Sequence, residues 1–294
     1  MKRIFSVKLN NMTRKNKKSH HSSNGLPIAL SIFLSILLIA MIALGLRLRE
    51  QEIAIHEAEE RMIETPYVSN VYDWNNLSWD GDYAYYEDDR WYSIQGIDVS
   101  AHQEIIDWDA VKASGVEFAM IRCGYRGYQY GYVYEDEYFD RNIQEAKRVG
   151  IKVGVYFYSQ AISPEEAREE ADFTLAKIKD YEIDLPVVFD MEESDTGPNG
   201  RILSLSREEK TECAVTFLHR IQNAGYTPMV YNSTLLFEEL FVTEYIQEFD
   251  IWVAEYGPYP RYPYEFSIWQ YTSSGTVPGI EGGTDMDLLF ISKE

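Results

Sequence analysis

Val187-Val188-Phe189-Asp190-Met191-Glu192 reads as a strand with two unlike faces. Side chains alternate along extended backbone, so Val187, Phe189 and Met191 share a face suited to packing under helices. Asp190 and Glu192 share the opposite face and stand at the strand's C-terminal end. Working outward, further short apolar runs occur at 96–100, 117–124, 152–159, 227–232, 251–255, 266–271 and 285–290. Helical patterns fill the first four gaps, and a shorter one at about 235–247 fills the fifth. Patterns at 107–114, 139–149 and 208–224 each stop at a glycine, Gly115, Gly150 and Gly225, suited to a left-handed turn. Ser163-Pro164-Glu165-Glu166 and Ser206-Arg207-Glu208-Glu209 are capping boxes, the first with proline at the favoured first helical position. Eight strands with about five helices predict an α/β fold, an irregular (β/α) barrel whose final third lacks crossover helices. The link from Tyr271 to Asp285 is too short for a parallel crossover, so the last strand should return antiparallel, starting at the rim.

The same period-two reading aims other acids inward. Asp98 points opposite Ile97 and Val99; Asp285 and Asp287 point opposite Met286, Leu288 and Phe290. Three strands thus direct carboxylates at one interior, where a β/α barrel carries its chemistry. A single aspartate at a strand end is commonly a cap or loop anchor. Several together must be paired with cations or hold raised pKa values, and Arg122 is the one obvious cation on these strands. Clustered carboxyls of divergent pKa, lined by aromatics, are what glycosidic bond cleavage requires.

Composition narrows the alternatives. The 294 residues carry 27 Lys+Arg against 48 Asp+Glu, a net charge of −21, which argues against nucleic acid as a partner. Five His and two Cys leave little for a zinc site, and no cofactor motif appears. Tyrosine is abundant at 23, with 6 Trp, a composition suited to flat amphipathic ligands. Charge is uneven: residues 1–46 hold seven basic groups and no acid. Residues 26–46 (LPIALSIFLSILLIAMIALGL) are uncharged and, at 1.5 Å per residue, span about the ~30 Å of a bilayer core. The basic flank places the N-terminus in the cytoplasm, and the length and the Leu46-Arg47-Leu48-Arg49 exit favour an uncleaved anchor over a signal peptide. The expected organisation is a basic cytoplasmic tail (1–25), a transmembrane helix (26–46), a stalk or linker (47–94) and an extracellular barrel domain (95–294). Within the linker, 65–94 is acidic and aromatic and reads as a tether packing a few rings on the main domain.

Several ordered motifs resemble glycoside hydrolase family 25, the Chalaropsis-type lysozymes. They are Gly96-Ile97-Asp98-Val99-Ser100, Ile106-Asp107-Trp108, Ile121-Arg122-Cys123-Gly124-Tyr125, Gly154-Val155-Tyr156, Phe189-Asp190-Met191-Glu192, Trp252-Val253-Ala254, Ile268-Trp269-Gln270-Tyr271 and Asp287-Leu288-Leu289-Phe290. The resemblance implies hydrolysis of the β-1,4 bond between N-acetylmuramic acid and N-acetylglucosamine in peptidoglycan; a monomer without cofactor or metal is expected. It implies Glu192 as general acid, with Asp98, Asp190 and Asp287 positioning the 2-acetamido group or stabilising an oxocarbenium-like state. Tyr125, Tyr156, Tyr231 and Trp269 would line sugar subsites. The run Ala101-His102-Gln103-Glu104 departs from the family's aromatic and Gln-Gly, and Asp285 is an acid additional to the matched Asp287. A non-catalytic peptidoglycan-binding module is the alternative, against which the intact acid set speaks. A chitinase-like barrel fits poorly, since Val188 occupies the first acidic place of a DxDxE strand. His102 reads as a solvent-facing loop residue. Cys123 and Cys213 stand either as a disulfide or as two buried thiols.

The uncharged segment and its basic flank predict a membrane-bound chain with its C-terminus outside. Protease added to intact protoplasts should remove the barrel domain; full protection would reverse the orientation.

Overall fold

The computed structural model describes residues 69–193 and 200–293, with Met41 and Arg49. The chain divides into two compact units, Met1–Arg61 and Met62–Glu294, and the described architecture belongs to the second. Apart from those two residues, the expected tail, membrane segment and charged stalk lie outside the described residues. Among the described residues, no helix is long and apolar enough to cross a membrane.

Eight strands close a barrel: β3 (Trp91–Val99), β4 (Phe118–Arg126), β6 (Lys152–Tyr158), β7 (Val187–Asp190), β8 (Pro228–Ser233), β9 (Asp250–Ala254), β10 (Ile268–Gly275) and β11 (Thr284–Ser292). A short hairpin, β1 (Leu77–Asp80) and β2 (Tyr83–Tyr86), precedes them, and β5 (Val133–Glu135) folds back on the end of β4. Among the barrel strands from β3 to β10 all neighbours are parallel. β11 runs antiparallel between β10 and β3, as the short final connection requires. Its register sets Asp285 opposite Asp98 and Asp287 opposite Gly96.

Helices α1 (Trp108–Ala113), α2 (Phe139–Arg148), α3 (Pro164–Ile178) and α4 (Arg207–Asn223) follow the first strands, as expected. Gly115, Gly150 and Gly225 all take positive φ at helix ends. Ser206 and Glu209 complete a capping box. The box at Ser163 is only half formed: Ser163 caps the Glu166 amide, while the Glu166 carboxylate reaches past it to the amide of Ile162. The expected helix at 235–247 is two short ones, α5 (Thr234–Leu240) and α6 (Thr243–Ile246). Its break has a tertiary cause. The Phe241 carbonyl accepts two bonds from Arg207 on α4, and the Val242 amide donates to Thr211 Oγ1 at 2.8 Å.

The alternation sorts side chains into two apolar layers. Ile97, Val99, Val187, Phe189, Met191, Met286 and Leu288 join helix residues such as Phe217 and Leu218 outside the barrel. Inside, Ile94, Phe118, Met120, Val188, Met229 and Ile268 fill the lower barrel. Gly96 is glycine because of this filling: a Cβ there would collide with the Phe118 ring. A dry floor therefore lies directly beneath the acids.

Residues 69–94 pack several rings on the barrel, as expected of the tether. Tyr72 packs among Tyr86, Trp91 and Phe266, stacks on Phe290 with centroids 4.1 Å apart, and donates to the Phe266 carbonyl at 2.8 Å. The Gln95 amide reaches the Ala84 carbonyl, and Tyr271 donates to Gln95 Oε1 at 2.9 Å. This aromatic plug seals the wall where β10 begins and β11 ends, the end remote from the acids. Tyr72→Ala should cost about 3 kcal/mol of stability and Tyr72→Phe about 1, as lost ring burial and a lost buried hydrogen bond respectively. Urea unfolding of the two variants checks the ratio.

Candidate active site

Asp98, Asp190 and Asp287 meet in the barrel mouth, each almost wholly buried, with Asp285 beside them and partly exposed. Gln270 organises one side. Its Nε2 donates to Asp98 Oδ2 at 2.8 Å, while its Oε1 accepts from Tyr231 at 3.0 Å and Tyr256 at 2.8 Å. Trp252 Nε1 donates to Asp287 Oδ1 at 2.9 Å. Asp190 Oδ1 and Asp287 Oδ2 are buried with no hydrogen-bond donor among the described residues.

The electrostatics follow from this crowding. Burial, then the charges of Asp285 and Asp287, push the Asp98 carboxyl well above the usual range. Burial and Asp285 do the same to Asp287. Burial raises Asp285 to about 6. Asp190 is raised by burial, then by the charge of Glu192, with Arg122 opposing; its side chain also hydrogen-bonds Glu192. Burial and the neighbouring Glu192 thus favour the protonated form of Asp190.

Glu192 lies two residues beyond β7, half-buried at the rim. Its backbone is held from two sides. Gln160 Nε2 donates to the Glu192 carbonyl at 3.0 Å, and Asn232 Nδ2 donates to the Met191 carbonyl at 2.8 Å. Below them the Asp190 carbonyl accepts from the Ser159 amide at 2.6 Å. Neither amide side chain stands out in the sequence, because hydrogen bonds to backbone leave no periodic trace.

Arg122, the expected cation, pairs with Asp136 at 2.9 Å and lies over the Tyr125 ring at 5.3 Å. Asp136 also accepts from the Ala101 amide, fixing the turn after Asp98. There Ser100 and Gln103 form a capping box, and His102 is exposed.

Among the aromatics expected at subsites, Tyr156 and Tyr231 are in the barrel interior, both against Trp252, and Tyr125 lies at the rim. Trp269 is not in the mouth. It belongs to the outer layer, packs on Trp74, Trp79 and Tyr271, and donates to the Glu255 carbonyl at 2.8 Å. Strand alternation is the reason: Ile268 and Gln270 point in, so Trp269 points out. Cys123 and Cys213 are free and buried, and burial pushes both thiols up to about 12.

Residues 97–280 match the profile of Glycosyl hydrolases family 25. The chain belongs to that family. A family of glycosidic-bond hydrolases thus supplies the enzyme class of this barrel. The chain is 28% identical over 195 residues to an autolytic lysozyme of Clostridium acetobutylicum, covering 66% of this chain and 55% of that one. The crystal structure of a lysozyme from Streptomyces coelicolor superposes with a TM-score of 0.57 at 26% identity, covering 67% of this chain and 91% of that chain. The modular autolysin LytC of Streptococcus pneumoniae, solved with a synthetic peptidoglycan ligand, gives 0.56 at 27% identity, covering 68% of this chain and 47% of LytC. This chain therefore spans about half the length of the autolytic lysozyme and of LytC.

The family 25 mouth has a consequence for stability. Each raised carboxyl holds its proton to higher pH in the folded chain, so folding binds protons and stability falls as pH rises. For Asp285 the loss runs from about 4 to about 6. The lowered carboxyls Asp88, Glu166 and Glu255 act oppositely, and their contribution is lost only in stronger acid. Melting temperature should therefore peak near pH ~4 and decline toward pH ~7.5. Asp285→Asn should raise it by about 3–6 °C at pH ~7.5 and leave it unchanged near pH ~4, by calorimetry.

Proposed function

We propose that the chain is a muramidase that hydrolyses the β-1,4 bond between N-acetylmuramic acid and N-acetylglucosamine in peptidoglycan. The observation that carries this reading is the hydrogen-bonded Asp190–Glu192 pair at the rim, above a pit of further carboxyls. Membership of family 25 and likeness to lysozymes support it.

Glu192 is the general acid that protonates the leaving oxygen. It is the more exposed of the pair and stands on backbone fixed by Gln160 and Asn232. A proton held with buried Asp190 keeps an acid available above the ordinary carboxyl range. Positive charge then develops on the sugar. Asp98 and Asp287, with Asp190 once it loses the shared proton, stabilise that charge or hold the 2-acetamido group that shares it. Raised pKa values suit groups whose negative charge becomes favourable only when a cationic centre arrives. Tyr156 and Tyr231 line the inner wall. The segment 26–46 anchors the enzyme as a single-pass protein, with the barrel on the outer side of the membrane, and the barrel acts as a monomer.

Glu192→Gln should keep the fold and lower turnover by roughly 10²–10⁴-fold, the scale of general acid catalysis. Mass spectrometry of digested, borohydride-reduced peptidoglycan should find new ends as reduced muramic acid. Reduced glucosamine ends, or near wild-type turnover in the variant, would refute the assignment.

A further inference from the structure

Beyond the acids, the β4–β5 hairpin carries five tyrosines within ten residues: Tyr125, Tyr128, Tyr130, Tyr132 and Tyr134. Tyr125 and Tyr134 are cross-strand partners whose rings stack with centroids 5.3 Å apart. Tyr130 and Tyr132 meet at 6.4 Å nearer the tip. The outer rings are open to solvent: Tyr130 is 78% exposed and Tyr132 64%, with Tyr128 and Tyr134 also exposed. Scattered exposed aromatics need no explanation, but two ring pairs on one hairpin do.

The hairpin is braced. Its turn closes through amide-to-carbonyl bonds from Gly127 to Tyr132 and from Gly131 to Gly127, both 2.9 Å. Buried Arg126 donates to the Gly131 carbonyl at 2.6 Å and is itself held by Glu170 and Glu169. Gly131, at φ +69, lies against the Arg201 guanidinium where a Cβ would collide. Arg201 in turn donates to the Gln160 carbonyl at 3.0 Å, and Gln160 holds the Glu192 backbone. At its other end the row begins at Tyr125, under Arg122, whose charge acts on Asp190. The row is thus a continuation of the active-site rim, positioned by the residues that position the acid.

We propose that the tyrosine hairpin is a distal glycan-contact surface, taking N-acetylated hexosamine units of the strand beyond those held over the acids. This rests on the reading of the chain as a muramidase. A pyranose presents a flat C–H face and an equatorial polar edge, and an amphipathic phenol ring matches both. A second copy of the chain is a poor occupant. The exposed rings offer on the order of 500 Å², below the ~800 Å² per partner of a stable interface.

The test uses the full chain in detergent micelles, as wild type and as Tyr130→Ala/Tyr132→Ala. Initial rates are measured on a tetrasaccharide spanning one cleavable bond and on long glycan strands stripped of peptides. Losing two stacking rings should raise KM on long strands by about 5–30-fold, with kcat and the tetrasaccharide rates unchanged. Equal losses on both substrates, or none on either, would overturn the proposal. Binding of the stripped strands, measured in a Glu192→Gln background, should weaken by the same factor. If wild type cleaves neither substrate, the muramidase reading fails; weaker binding by the tyrosine variant would still support the glycan surface, and unchanged binding would refute it. Binding that requires peptide stems, or a dimer lost on tyrosine replacement, would also refute it.

Discussion

Carboxyls driven into the mouth of a closed barrel set the terms for the rest of this structure. Strand alternation leaves Asp98, Asp190 and Asp287 little access to bulk water, and the apolar floor from Ile94 to Ile268 denies them solvent from below. Buried like charges at close range cannot all ionise. Burial therefore favours the protonated forms of Asp98, Asp190 and Asp287. The fold stores an electrostatic penalty where a cationic sugar centre would relieve it.

Cations sit close to this pit without neutralising it. Arg122 is tied to Asp136 and lies over Tyr125, so its charge reaches Asp190 from the side. Arg126 is buried against Glu170, whose carboxyl burial raises to about 7, and serves the hairpin. Neutral donors do the local work: Gln270 on Asp98 and Trp252 on Asp287. Such donors orient an acid without discharging it, which preserves its capacity to respond to substrate.

The rim is built differently from the pit. Glu192 stands beyond the end of its strand, so its position depends on side-chain amides gripping backbone carbonyls. Gln160 supplies one grip, and through Arg201 the same residue is linked to the tyrosine hairpin. Mobility at a strand end is thereby traded for a defined location of the acid, with the proposed distal surface braced against it.

Local periodicity determined much of this protein. The eight strands, the inward set of acids, the helix stops and the antiparallel return of β11 follow from alternation, glycine conformation and connection length. Tertiary structure decided the remainder. Trp269 is on the outer wall because its neighbour Gln270 faces in, a choice of register that a motif match does not contain. The fifth helical stretch breaks at Phe241-Val242 because Arg207 claims the carbonyl of one and Thr211 the amide of the other, both from another helix. The segment reads as a tether packing a few rings, but that Tyr72 is the plug was decided by Phe266 and Phe290, about two hundred residues away. The grips of Gln160 and Asn232 are likewise invisible in one dimension. Periodicity records which face a residue takes along its own element; it carries no record of which distant backbone a polar side chain will meet.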